Sequence, residues 1–210
     1  MRILVTAGPT HEPLDDVRFL ANASSGRLGF AVAAAAFALG HDVVLVCGPT
    51  ALPPPFGPRT VRVETAAGMR DACLAAFPAV DAVVMTAAVA DYRPAERFAG
   101  KLKKEAGARE LPLVRTADVL SELSARRTKQ ILVGFALEAA DGEENARRKL
   151  LSKGLDLVVL DSPAAIGAER SDFVLLAADG RREHYRSISK EILALRLVSF
   201  VANAKLSPDR

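Results

Sequence analysis

The chain has 210 residues, 50% of them hydrophobic and 25% charged, with a formal net charge of +3 and an isoelectric point near 9.0. No apolar run approaches the roughly eighteen residues of a membrane span, and basic residues that are dispersed, with few aromatics and no tryptophan, argue against a nucleic-acid surface. Cys47 and Cys73 lack C-x-x-C spacing and lie in apolar stretches, so they read as buried free thiols rather than a disulfide or metal pair. The first element is an apolar strand over residues 3–6, directly after Met1, so no signal or transit peptide is expected and the expected compartment is the cytoplasm. It enters the polar turn Ala7-Gly8-Pro9-Thr10 and a long polar excursion, which ends in an alanine-rich helix over 26–39. Strands follow at 42–47 and, after the loop Pro53-Pro54-Pro55, at 60–64; a helix spans 67–77 and a strand 82–86. The stretch 88–115 is long and mixed, with clustered lysines and with Gly100 and Gly107, and loops of this length are usually functional or mobile. Beyond it come a helix at 117–126, a strand at 130–135, a helix at 142–153 and a strand at 155–160. Strand-like runs at 172–177 and 182–186 flank Ala178-Asp179-Gly180, a hairpin signal, and a helix spans 189–202. Alternating strands and helices predict one α/β domain over 1–210: Rossmann-like, mostly parallel, helices on both faces, with a C-terminal antiparallel hairpin at the sheet edge.

Several segments hold residues that could carry chemistry. Ser24, Ser25 and Gly26 stand at a helix start, where backbone N–H groups and the helix dipole favour an anion, although a serine cap alone would also use them. The chain has neither a Walker A sequence nor a G-x-G-x-x-G fingerprint after its first strand, which argues against an ordinary ATPase or dehydrogenase. Asn22 offers a neutral amide donor ahead of that helix, although an isolated loop asparagine is more often a turn residue. Arg18, taken alone, reads as a partner for Asp15 or Asp16. Lys101 opens Lys-Leu-Lys-Lys in the long loop; such a cluster is commonly a solvated face, yet a cation on a closing loop suits a transition state that builds phosphate charge. Small residues at Met85-Thr86-Ala87, with Asp91 beyond them, suit a base and a ribose at a strand's carboxyl end, or simply a tightly packed strand end. Lys149 and Lys153 share one helix face. His11, His41 and His184 show no ligand spacing, so no metal held by protein side chains is expected.

Four segments carry a resemblance. Residues 8–29 run Gly8-Pro9-Thr10, then Glu12-Pro13-Leu14-Asp15 through Val17-Arg18, Asn22, and Ser24-Ser25-Gly26-Arg27-Leu28-Gly29. Ala87-Ala88-Val89-Ala90-Asp91-Tyr92, Lys101-Leu102-Lys103-Lys104 and Gly134-Phe135-Ala136-Leu137-Glu138 follow in order. Together they resemble the phosphopantothenoylcysteine synthetase family, the ligases of coenzyme A biosynthesis, over most of the chain.

The resemblance implies a CTP-dependent phosphopantothenate–cysteine ligase. Its small-molecule substrates would be 4′-phosphopantothenate, L-cysteine and CTP, with magnesium (Mg2+) on the nucleotide and no flavin. It assigns Lys101 to formation of an acyl-cytidylate, Asn22 to its attack by cysteine, and Arg18 to the catalytic set. It implies a nucleotide pocket of Met85, Thr86, Ala87, Asp91, Lys101, Ala117, Asp118, Val119, Leu120, Phe135, Lys149 and Lys153. It also implies a homodimer, its contact supplied by the hairpin or the long loop, and a flavin-dependent decarboxylase half, fused or on another chain. Two stretches depart from the family pattern. Arg115-Thr116-Ala117-Asp118 lacks a proline usual before the nucleotide helix, and Asp161-Ser162 stands where Asn-Asp is usual. Two rivals stay open: an NAD(P)-dependent Rossmann oxidoreductase and a non-catalytic nucleotide-sensing module.

Overall fold

The computed structural model of the protein describes residues 1–104, 108–138 and 141–206. Gly107, one of the two glycines noted in the long loop, lies outside the described residues. The apolar runs at Arg2–Ala7 (β1), Asp42–Cys47 (β4), Arg59–Arg62 (β5), Ala82–Met85 (β6), Ile131–Leu137 (β9) and Leu157–Asp161 (β10) form parallel strands, with Arg170–Ala177 (β11) and Arg182–Ser189 (β12) added antiparallel. These eight make one sheet in the order β12-β11-β10-β9-β6-β1-β4-β5. Strands β1, β4 and β6 read almost entirely buried because helices cover both faces, as continuous Val/Ile/Leu runs require in a parallel sheet.

The helices are Arg27–Ala38 (α1), Ala66–Ala76 (α2), Val119–Ala125 (α3), Gly142–Ser152 (α4) and Lys190–Leu206 (α5). Helices α1 and α5 pack together over one face, burying Phe30, Val32, Leu193 and Leu197 against Ile3, Val5 and Val133. Helices α2, α3 and α4 cover the other, where Met69, Leu123 and Leu150 meet Leu4, Val83 and Val158. Both cysteines are free and buried, as expected, and burial raises both thiols, Cys73 to about 12. Gly29 is required for the close approach of α1 to the sheet: a Cβ there would lie 2.5 Å from Thr86 Oγ1 and 2.7 Å from the Thr6 carbonyl oxygen.

Two features depart from the reading of the sequence. The polar excursion after β1 contains a two-stranded ribbon, His11–Pro13 (β2) with Phe19–Ala21 (β3), and the long loop contains another, Tyr92–Pro94 (β7) with Leu113–Arg115 (β8). Strand β2 packs against β7, so the two ribbons stand together at the carboxyl end of the sheet. Their three-residue strands are too short to carry an alternating pattern.

Candidate active site

The strand order reverses direction between β1 and β6, and ligands of open α/β sheets bind in the crevice such a reversal leaves at the strands' carboxyl ends. A cavity of about 520 Å³ occupies that crevice. Two buried threonines tie together the segments that meet there. Thr6 Oγ1 accepts from the Ala87 N–H at 3.0 Å and Thr10 Oγ1 from the Ala90 N–H at 3.0 Å, which fastens the segment after β6 to the end of β1 and to the turn beyond it.

Most of the residues singled out from the sequence meet here. Asn22, Ser24, Ser25 and Gly26 line the cavity from the run into α1. Gly26 takes φ 76° there, a left-handed conformation that suits glycine, and no acidic residue stands in the first turn of α1. Met85, Thr86, Ala87 and Asp91 enter from the end of β6; Ala117, Asp118, Val119 and Leu120 from the start of α3; Phe135 from β9; and Lys149 and Lys153 from α4 and its cap. Asp118 caps α3, its Oδ1 accepting from the Ser121 N–H at 3.0 Å, while its Oδ2 meets Lys153 Nζ at 2.6 Å. Burial pushes the Asp118 carboxyl up, but the Lys153 ammonium and the Ser121 N–H prevail and hold it below its ordinary value. Lys149 Nζ donates to the Phe135 carbonyl; burial, then the neighbouring Lys153 charge, lowers its pKa. The proline missing before Asp118 is offset by Thr116, whose N–H donates to the Asp91 carbonyl at 3.0 Å and whose hydroxyl donates to the Ala90 carbonyl.

Asn22 sits at the cavity with its amide nitrogen turned toward the chain: Nδ2 donates to the carbonyls of Ala88 and Val89, each at 3.2 Å. Arg18 and Lys101 are not among the lining residues. Arg18 joins the buried Asp15 through Nε at 3.0 Å and through Nη2, and Nη2 also donates to the Leu102 carbonyl at 2.7 Å. Asp15 Oδ2 accepts from the Leu102 N–H at 2.9 Å, and Asp16 Oδ2 from the Gly100 N–H at 2.9 Å. Lys101 is exposed, and both of its chain neighbours are tied by this clasp to residues 14–18.

The sequence reading assigned no site role to Lys190, Thr116 and Ala165–Gly167, and it noted Asp161 only as a departure; all of them line the cavity. Lys190 lies in a Ser-Lys-Glu run at a helix start that reads as solvated, and nothing in its neighbours signals burial. Among the described residues no group of three or more His, Cys, Asp or Glu is placed to hold a metal, and no helix is long and apolar enough to cross a membrane.

Residues 1–204 match the family model for the DNA/pantothenate metabolism flavoprotein C-terminal domain. The coenzyme A biosynthesis bifunctional protein CoaBC of Bacillus subtilis (strain 168) is 41% identical over 205 residues, 95% of this chain and 50% of that protein. A cysteine/cysteine sulfinic acid decarboxylase from an unknown prokaryotic organism is 44% identical over 169 residues, 80% of this chain and 47% of that protein. The chain thus spans about half the length of the curated relatives it matches. The crystal structure of the C-terminal domain of CoaBC superposes with a TM-score of 0.85 at 37% identity, covering 98% of this chain and 96% of that one. The resemblance carried by four short motifs therefore extends over nearly all of the chain and its fold, and the chain belongs to the DNA/pantothenate metabolism flavoprotein C-terminal domain family.

Proposed function

We propose that the chain is a single synthetase-like unit over 1–210 that couples 4′-phosphopantothenate to L-cysteine, consuming CTP. A carboxylate oxygen of phosphopantothenate attacks the α-phosphorus of CTP as the bond to pyrophosphate breaks, giving an acyl-cytidylate. The cysteine amine then attacks the acyl carbon, the bond to the CMP oxygen breaks, and the nitrogen loses a proton. Activation is needed because a free carboxylate is a poor acyl donor.

The observation that carries this reading is one cavity with Asn22 at the run into α1 and with Lys149 and Lys153 at the α4 side. The small residues after β6 leave room for a nucleoside, and Asp91 offers a carboxylate to ribose hydroxyls. The two lysines suit the phosphate chain. Asn22 serves the second step by turning its amide from a loop carbonyl to the acyl oxygen. Lys101 serves the first, delivered by the clasped loop or by a neighbouring copy. The lining carboxylates Asp91, Asp118 and Asp161 come from separate segments, which fits magnesium held chiefly by nucleotide phosphates. Such an ion would supply charge neutralisation on those oxygens.

A homodimer belongs to the same reading. The paired ribbons expose Val17, Phe19, Leu20, Tyr92, Leu113 and Val114, an apolar surface beside the clasp, whereas β12 is largely polar. That favours the long loop over the hairpin as the contact. A decarboxylase half, fused or separate, belongs to the same reading, and no flavin is required for ligation. The cytoplasm is the compartment in which we expect this chemistry.

The test is pyrophosphate release from CTP or ATP with 4′-phosphopantothenate, with and without cysteine. Release with CTP, and amide product only when cysteine is present, is expected. Tight NAD(P)H binding without pyrophosphate release would favour the oxidoreductase, and CTP binding without turnover a sensing module.

A further inference from the structure

The cations of the cavity come from both faces of the sheet. Lys149 and Lys153 reach it from α4 on one face, and Lys190 reaches it from the first turn of α5 on the other. Lys190 is only 6% exposed. Its Nζ donates to the Ala165 carbonyl at 3.2 Å, and among the described residues that is its one hydrogen-bond partner. An ammonium carries three donors, and a buried charge is expensive unless it is paired. Helix stability does not account for it either, since a cation in the first turn opposes the helix dipole. A buried lysine facing a cavity on unfavourable terms with its own helix implies an anion that visits.

Besides the Arg27 and Glu191 charges that Lys190 feels, two neighbours that line the cavity define what that anion meets. The start of α1 stands on the same face of the sheet, with Ser24, Ser25 and Gly26 lining the cavity and no acidic residue in its first turn. Asp161, at the end of β10, lines the cavity as well. Its Oδ1 accepts from the Ser162 N–H at 2.7 Å and the Ser171 hydroxyl at 3.2 Å, and among the described residues no lysine or arginine forms an ion pair with it. Burial raises its pKa, and it attracts Lys190 through space without contact. Any anion drawn to Lys190 therefore feels Asp161 as well.

We propose that Lys190 is a second phosphate-contacting pole of the cavity, acting with the start of α1, and that Asp161 weakens the affinity of this pole. The proposal rests on the reading that the cavity takes phosphorylated substrates. Its ligand chemistry is a phosphate or diphosphate oxygen, carried either by the nucleotide or by the phosphate ester of the acyl donor.

Binding of pyrophosphate, CTP and 4′-phosphopantothenate to the full chain, measured by calorimetry for wild type, Lys190→Met and Asp161→Asn, tests it. Methionine fills similar space without charge, and Lys190 has no ion-pair partner among the described residues, so its removal relieves the cost of burying an unpaired charge. Lys190→Met should weaken at least one of the three ligands about tenfold or more, the loss expected for a charge-assisted hydrogen bond, with no fall in thermal midpoint. Asp161→Asn, an isosteric change, should tighten the same ligand. Weakened CTP and pyrophosphate would place the nucleotide at this pole; weakened phosphopantothenate alone would place the ester there. Unchanged affinities in Lys190→Met, or Asp161→Asn moving in the same direction as Lys190→Met, overturns the proposal. A wild type that binds these ligands but forms no amide overturns the ligase reading and leaves Lys190 standing.

Discussion

At the scale of single residues, Asn22 is the sharpest test of the proposed chemistry. Its amide nitrogen donates to the carbonyls of Ala88 and Val89, so Asn22→Asp would set a carboxylate against two carbonyl oxygens and remove the donor. Loss of one oxyanion donor typically lowers kcat by about 10²–10³. Turnover should fall by about that much and acyl-cytidylate should accumulate, as quenched-flow product analysis would reveal; full activity without accumulation would refute the role. Gly29 offers a structural counterpart. Its added Cβ would lie 2.7 Å from a backbone oxygen that cannot swing away, so Gly29→Ala should lower stability by about 1–3 kcal/mol, read from the urea midpoint. Asn22 and the serines were legible through the family-like motif of residues 8–29, since taken singly a loop asparagine is more often a turn residue and a serine a helix cap. Lys190 was not, because burial is a property of what packs around a residue rather than of its neighbours in the chain.

At the scale of elements, the clasp between residues 14–18 and 97–102 decides where Lys101 stands. Asp15 is its hub, accepting from the Val17 N–H at 2.8 Å, the Arg18 N–H at 2.7 Å and the Leu102 N–H at 2.9 Å as well as from the Arg18 side chain. The Arg18 guanidinium lowers the Asp15 carboxyl well below the usual carboxylate range, helped by the backbone N–H groups against a smaller opposing effect of burial. A carboxyl with a depressed folded pKa stabilises fully above its unfolded value, about 3.9, and loses that contribution as pH falls below it. Wild type should therefore lose stability from about pH 4 downward in urea titrations, and Asp15→Asn should start less stable at neutral pH and show a shallower decline. The variant should also speed exchange of the Leu102 amide; unchanged exchange would show that the clasp does not hold the loop. Arg18, which the resemblance placed in the catalytic set, reads when taken alone as a partner for Asp15 or Asp16, and the ion pair with Asp15 is present. The ribbons around it escaped because paired three-residue strands depend on each other rather than on any internal periodicity.

At the scale of the whole molecule, the sheet order brings segments far apart in the chain to one crevice and leaves the paired ribbons exposed beside it. Phe19 is 53% and Leu113 48% exposed, a poor arrangement unless another surface covers them. Phe19→Glu combined with Leu113→Glu should convert a homodimer to a monomer in sedimentation velocity while the sheet's circular dichroism is kept; an unchanged sedimentation coefficient would remove these ribbons from the interface. The sequence by itself determined the alternation of buried strands and covering helices, the edge hairpin and the family, because these depend on apolar runs, turn residues and local motifs. Only the tertiary structure decided that Lys190 joins Lys149 and Lys153 in one cavity and that Lys101 stands outside its lining. Those relations follow from which face of the sheet each crossover helix covers and from side-chain hydrogen bonds between distant loops, and no local pattern encodes either one.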